Sequence, residues 1–382
     1  MMKISWIWIL LALPAFGKPE ADTFVTSTVE VNPQAIGFTD DLDFDLLDTA
    51  IQRQLDAYDS DVQLSGKVKF GDRVYPLGVL RDSLVLFQEI ARSTRECFQK
   101  HPRKSCKKDF NAAIRTRFRV FKPRTGDTRF TAYYSPDFEG SLKPEGRFQT
   151  PIYRAPEDPV LKESTREEIL YRGALSGMNL ESAWLDADLF ELYSLQIEGG
   201  GRIRLTDADG NPSLKYISFD GKNSHPLRFF STLMKQHGWL TGSDLSYETQ
   251  HRYFVEHPEI HEILNAECPS YVYFKLTDEE PVGIDNIPLT ENRSLAFDRA
   301  FYPVSGLLNF IKIRVAGKPL TRFMLSQDVG GAIKGSARAD LYFGFGQEAR
   351  HAAETLGTHG QQYFLIKRET RPRTRRSHLN VF

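Results

Sequence analysis

Between Gly140 and Asp220 the chain is written in short runs. RFQTPIYRAP, FELYSLQIEGGGRIRLTDADG and LKYISFDGKN each join an apolar or alternating stretch to turn-forming residues, the pattern of short β-strands. The flanking segments differ. Over 84–120 apolar residues recur at spacings of three and four and predict two helices around the short polar loop CFQKHPRKSC. TRFTAYYSP, 128–136, predicts a strand closed by Pro136, 225–265 is helical again, and from SYVYFKLTD at 270 onward strands return with glycine-rich turns. Thr165 ahead of Glu168 predicts a capping box that opens a short helix. A β-rich middle between two outer segments predicts an inserted domain. The 382 residues, 41% of them hydrophobic and 26% charged, suffice for two domains with a sizeable core. No repeat or low-complexity stretch interrupts them.

With 49 basic and 50 acidic side chains there is no global electrostatic basis for binding nucleic acid. Arg371, Arg373, Arg375 and Arg376 make the last residues locally basic, which fits a solvated tail or attraction to an anionic polymer or surface. At the other end Lys3, an apolar run from Ile4 to Leu13 and then Ala15-Phe16-Gly17 form a secretory signal peptide, 1–17. That run is too short for a stable span of a bilayer about 30 Å thick. The expectation is an exported, periplasmic chain. In an oxidising compartment Cys97 and Cys106 are expected to form a disulfide, leaving Cys268 buried and free.

Several motifs invite chemistry and fail on context. GFGQEA, 344–349, with Glu369 further on, imitates a dinucleotide-binding fingerprint, but too few residues follow for the βα crossovers that fold requires. In GGAIKGS, Lys334 precedes its glycine, whereas a phosphate loop needs the reverse order. His257 and His261 are four apart, but Pro258 puts the first at a helix entry, and His351 with Glu354 offers less. No zinc spacing and no GxSxG are present, so the expectation is an absence of metal and cofactor. What remains is carboxylates, aromatics and amides. Tyr133, Tyr134, Gln196 and Gly199 to Gly201 followed by Arg202 are residue types that bind a sugar chain, although buried tyrosines and a hairpin turn account for them equally well.

FTAYYSPDFEG, GRFQTPIYR, LYSLQIEGGGRIRL, CPSYVYF, PLTENRSLAFD, QDVGGAIKG and ADLYFGFGQEA follow one another in order. Together they resemble the membrane-bound lytic transglycosylase A family of peptidoglycan enzymes, from about residue 80 to 367. The resemblance implies a mainly β fold with some α: a double-psi β-barrel from two segments, 25–137 and 263–368, with a smaller β-barrel inserted at 138–262 and a basic tail at 369–382. It implies a groove for peptidoglycan glycan strands between them. The lipid-attachment cysteine of many members, which ties them to the outer membrane, is missing here, and Cys268 stands where an asparagine is common.

The C-terminal part resembles the family's three-aspartate domain, with Asp298, Asp328 and Asp340 in the three positions. Ordinary glycosidases use two carboxyl groups. A lytic transglycosylase instead uses the C6 hydroxyl of the same N-acetylmuramic acid ring as nucleophile, so one carboxyl serves first as acid and then as base. The resemblance gives this role to Asp340, with Asp328 and Asp298 in support. It places Thr131, Tyr133, Tyr134, Gln196, Gly199, Gly201, Arg202, Gly330, Gly331 and Lys334 on the glycan. A water-using hydrolase and a non-catalytic binding module remain as rivals at this level.

Overall fold

The computed structural model describes residues 23–60, 64–206 and 212–369. The expected signal peptide lies outside the described residues, as does the basic tail beyond Glu369. Six strands form a closed ring: β1 (Thr128–Ser135), β2 (Ser294–Phe297), β3 (Leu308–Val315), β4 (Lys318–Val329), β5 (Arg338–Phe345) and β6 (Thr358–Lys367). The ring runs β3–β4–β2–β5–β1–β6 and closes where β6 pairs with β3. β4/β2 and β5/β1 are parallel, and the other pairings are antiparallel. This is the double-psi β-barrel, assembled from residues far apart in the chain.

Local chemistry explains its parts. β3 and β4 meet in a two-residue hairpin in which Ala316 (φ 47°) and Gly317 (φ 79°) both take positive φ, the geometry that matches strand twist. One face of the strands supplies Phe130, Leu295, Ile311, Ile313, Met324, Ala339 and Leu341 to a common apolar cluster. Phe310, Phe323 and Phe364 join a larger cluster with the helices Leu47–Ser60, Val79–Lys100 and Arg103–Arg117. Cys97 and Cys106 are bridged, with Cα atoms 5.8 Å apart. Both lie inside helices, so the polar stretch around them is mostly helical and only His101-Pro102 interrupts it.

The second sheet runs in the order Val272–Thr277, Pro212–Lys222, Gly201–Thr206, Asp137–Ser141, Glu181–Leu185 and Thr150–Tyr153. It is a nearly closed barrel, whose open side is bridged by Ser182 Oγ donating to Phe274 O at 2.8 Å. One sequence expectation changes. FELYSLQIE, 190–198, lies in a helix, Leu189–Glu198, not a strand. Asp188 caps its first turn reciprocally with Glu191, and Gly199 ends it in the left-handed conformation at φ 82°. The caps decide a segment whose apolar run alone is ambiguous. The capping box of Thr165 and Glu168 is present.

A buried ion pair ties the outer segments together. Arg293, immediately before β2, donates to both carboxylate oxygens of Asp40 at 2.7 and 2.9 Å, and both side chains have zero exposure. Burial alone would raise the Asp40 carboxyl, but the Arg293 guanidinium and the N–H groups of Phe323 and Phe44 hold it below its ordinary value. Asp40→Asn should therefore lower unfolding free energy by about 3–5 kcal/mol, the usual cost of stranding one member of a buried pair. Urea unfolding checks this at neutral pH. The difference should shrink as pH falls below about 3.9 and through the depressed folded-state value, because the wild-type pair is itself lost there.

Candidate active site

The barrel's register brings the two aspartates of the glycine-rich turn to one row. Asp340 on β5 stands opposite Thr131 of β1 on one side and Ala296 of β2 on the other, and Ala296 in turn stands opposite Asp328 of β4. Neighbouring strands are about 4.8 Å apart, so the two aspartate backbones are separated by about 10 Å. Residues in one row share a face. Ala296 is buried and contributes only a methyl group between the two carboxyls.

Their surroundings are unequal. Asp328 Oδ2 accepts from the Tyr133 hydroxyl at 2.5 Å and Oδ1 from its neighbour's amide, Val329 N, at 2.8 Å. Asp340 Oδ1 accepts from the Thr131 hydroxyl, while Oδ2 has no hydrogen-bond partner among the described residues. Burial pushes Asp328 up to about 6, against the pull of its two donors and with help from the charge of Asp340. Burial also raises Asp340, opposed by the Thr131 bond and the Arg338 charge.

The third aspartate does something different. Asp298 is buried just beyond β2, where its carboxylate accepts from Ala300 N at 3.0 Å and from Gly335 N at 2.7 Å. It pins the glycine-rich turn. Within that turn a Cβ on Gly330 would lie 2.7 Å from Ile333, whereas Gly331 faces open space and Lys334 is exposed.

Strand alternation separates the two tyrosines. Tyr133 lies on the aspartate face, two residues from Thr131, with its ring 5.2 Å from that of Tyr342. Tyr134 points the other way and packs on Ala349 and Ala353 of the helix Gly346–Glu354. Gln196 is buried, with its amide 3.4 Å from Val272 O, so it is turned into the insert's own interior. Gly199 is the helix cap already described, and Gly201 lets a strand pass Pro136, whose carbonyl would lie 2.6 Å from an added Cβ. Arg202 forms a forked pair with Asp137 at 2.7 and 2.9 Å and lies 4.3 Å over the ring of Phe345, which joins the insert to β5. Gln196, Gly199 and Gly201 thus have structural duties, and Arg202 is already paired.

Sequence reasoning missed Glu198. It ends the helix Leu189–Glu198 and lines a cleft of about 510 Å³ with Tyr134, Ser194, Tyr247 and Glu354. The missed signal was an acid at a helix C-terminus, where the helix dipole disfavours negative charge. His257 and His261 do not meet in a metal site: the first contacts Glu259, the second Phe254 O.

Residues 129–275 match the MltA specific insert domain and residues 293–366 match the 3D domain. The chain belongs to the MltA family. It is 32% identical over 249 residues to the membrane-bound lytic murein transglycosylase A of Escherichia coli K12, and 28% identical over 235 residues to that of Vibrio cholerae. These alignments take in 63% and 59% of this chain, and 66% and 62% of the curated relatives' length. The crystal structure of E. coli MltA with bound chitohexaose superposes with a TM-score of 0.70 at 25% identity, covering 92% of this chain and 97% of that one. A membrane-bound lytic murein transglycosylase from Agrobacterium tumefaciens shares the fold, with a TM-score of 0.69 at 24% identity over 89% of this chain and 98% of that one. Among the described residues of this MltA-family chain, no helix is long and apolar enough to cross a membrane.

The unequal aspartates have a measurable consequence. Tyr133→Phe removes a donor that stabilises the Asp328 carboxylate, so the Asp328 carboxyl should titrate above its wild-type value of about 6. Carboxyl ¹³C chemical shifts followed against pH should show the rise, and an unchanged or lower midpoint would contradict the assigned hydrogen bond.

Proposed function

We propose that this chain is an exported lytic transglycosylase that cuts the β-1,4 bond between N-acetylmuramic acid and N-acetylglucosamine in peptidoglycan, leaving 1,6-anhydro-N-acetylmuramic acid ends. The observation that carries this reading is Asp340: a half-buried carboxyl whose pKa is raised, with one oxygen fixed by Thr131 and the other left for substrate. An acid catalyst needs both a proton near working pH and an oxygen free to deliver it. Asp328 has the first property, but protein donors already occupy both of its oxygens.

In the proposed cycle the proton on Asp340 Oδ2 passes to the glycosidic oxygen as the C1–O bond breaks. The C6 hydroxyl oxygen of the same muramic ring then bonds to C1, and its proton returns to Asp340. One carboxyl is thereby restored without water. Intramolecular attack supplies much of the acceleration because the nucleophile is tethered to the ring. Thr131 orients Asp340, Tyr133 and Asp328 hold the adjoining stretch of wall, and Asp298 secures the turn carrying Gly330, Gly331 and Lys334. The barrel segments 25–137 and 263–368 carry the chemistry, and the insert supplies the facing wall. The cycle calls for no metal or organic cofactor.

A second reading is favoured by Asp328, which stands on the same row and holds its proton to about pH 6. In an inverting hydrolase two carboxyls about 6.5–9.5 Å apart flank a water. Product chemistry separates the two. Digestion of purified peptidoglycan in heavy-oxygen water should give ends one water lighter than hydrolytic products, unlabelled and non-reducing. Labelled reducing muramic ends as the main product would establish the hydrolase instead. Asp340→Asn should fold, bind glycan and lose about 10²–10⁴-fold in turnover. Near-native turnover in that variant, with collapse in Asp328→Asn, would transfer the acid role to Asp328.

A further inference from the structure

Glu198 is the group that the proposed cycle leaves unused. It closes the helix Leu189–Glu198 of the insert, and its Oε2 accepts the backbone N–H of Tyr134 at 3.2 Å. Tyr134 belongs to β1, three residues from Thr131 and next to Tyr133, so this bond joins the insert to the strand that orients Asp340. The second oxygen, Oε1, has no hydrogen-bond partner among the described residues, and the side chain borders the cleft of about 510 Å³.

The charged and titratable groups around Glu198 come from every packed element. Asp340 acts on it from β5, and Glu354 from the helix Gly346–Glu354. Tyr134 of β1 and Tyr193 of its own helix feel its charge, and Arg350 lies close to the Tyr134 hydroxyl. Tyr247 completes the cleft from the helix Tyr247–Glu256, where Arg350 pairs with Glu248 at 3.2 Å. Among the described residues no cation faces Glu198 directly, since Arg350 is engaged with Glu248 and stacked 4.5 Å over Tyr247.

We infer that Glu198 is a positioning residue for the proposed reaction: it docks the insert helix on β1, the strand whose Thr131 holds Asp340. Burial, against the pull of the Tyr134 N–H and with the charges of Asp340 and Glu354, pushes its carboxyl up to about 8, so the neutral form prevails at neutral pH. Because Oε2 accepts the Tyr134 N–H, the proton resides on Oε1. The consequence for catalysis is electrostatic. When Asp340 gives up its proton it becomes an anion, and an ionised Glu198 nearby would oppose that transfer.

This inference rests on the proposed activity, and Glu198→Gln tests it because glutamine keeps the shape and the acceptor but never ionises. Turnover of purified peptidoglycan is measured from pH 5 to 9 for wild type, Glu198→Gln and Glu198→Ala. The glutamine variant should stay within about twofold of wild type at pH 6, and its turnover relative to wild type should rise as pH passes about 8, where Glu198 ionises and glutamine does not. Alanine, lacking the acceptor, should be slower than glutamine across the whole range. Coincident alkaline limbs for wild type and glutamine, or an alanine variant as fast as wild type, would overturn the role.

Melting temperatures provide a readout independent of activity. Unfolded Glu198 ionises near 4.5 while the folded residue keeps its proton to about 8, so wild-type stability falls with rising pH between those values. The glutamine variant lacks this loss and should gain on wild type from pH 5 to 8.5. A constant difference would overturn the neutral form of Glu198. A wild-type chain that releases no glycan product at any pH, while the melting curves diverge as described, would sink the proposed activity and leave the protonation of Glu198 standing.

Discussion

The pair of Arg293 and Asp40 is the constraint on which the wall carrying the aspartates depends. Arg293 also donates to Asp45 O at 2.7 Å and to Phe323 O at 2.9 Å, while Asp40 accepts the Phe323 N–H at 3.0 Å and the Phe44 N–H at 2.9 Å. A loop ahead of the first long helix is thus fastened to β4 and to the entry of β2. Next to it Arg322 grips Asp41 with two bonds at 3.0 and 2.8 Å. β2 is only four residues long and lies between β4 and β5, so its placement sets the row that holds both aspartates. Burying the pair costs desolvation, which the surrounding hydrogen bonds offset.

From that placement the proposed acid chemistry follows. Two carboxyls on one face of a wall cannot both shed their protons freely, and burial raises both. Their neighbours then distinguish them. A tyrosine and an amide occupy the oxygens of Asp328, whereas a single threonine leaves Asp340 with one oxygen for a ligand. Ala296 keeps the space between them from being filled by a larger side chain. The buried network behind Asp328 adds rigidity: Gln327 accepts from Ser294 at 2.8 Å and donates to Ala50 O at 3.1 Å, which reaches the first long helix.

The insert is joined to this wall by polar contacts. Arg202 with Asp137 over Phe345 secures one side of the junction, and Glu198 with the Tyr134 amide secures another. Tyr216 of the insert adds a ring contact, 6.0 Å from Phe345. On the proposed reading, a helix-ending acid at this junction acts on Asp340 through space.

The family resemblance carried the fold class and the three aspartates, and local patterns carried the helical outer segment and the capping box at Thr165. The last two depend on residues close in sequence, where periodicity and caps act directly. The helix Leu189–Glu198 was misread because an apolar run is compatible with helix or strand until its caps are weighed. Which face each tyrosine takes, and that Gln196 turns inward while Asp328 and Asp340 flank Ala296, was settled by strand register between segments up to about two hundred residues apart. The raised carboxyl of Glu198 was likewise settled by burial against a distant strand. A sequence determines which side chains are available and how each short stretch prefers to bend. Pairing across the chain decides which of them share a face, lose their water and alter one another's protons, because those effects act through space and fall off within a few ångströms.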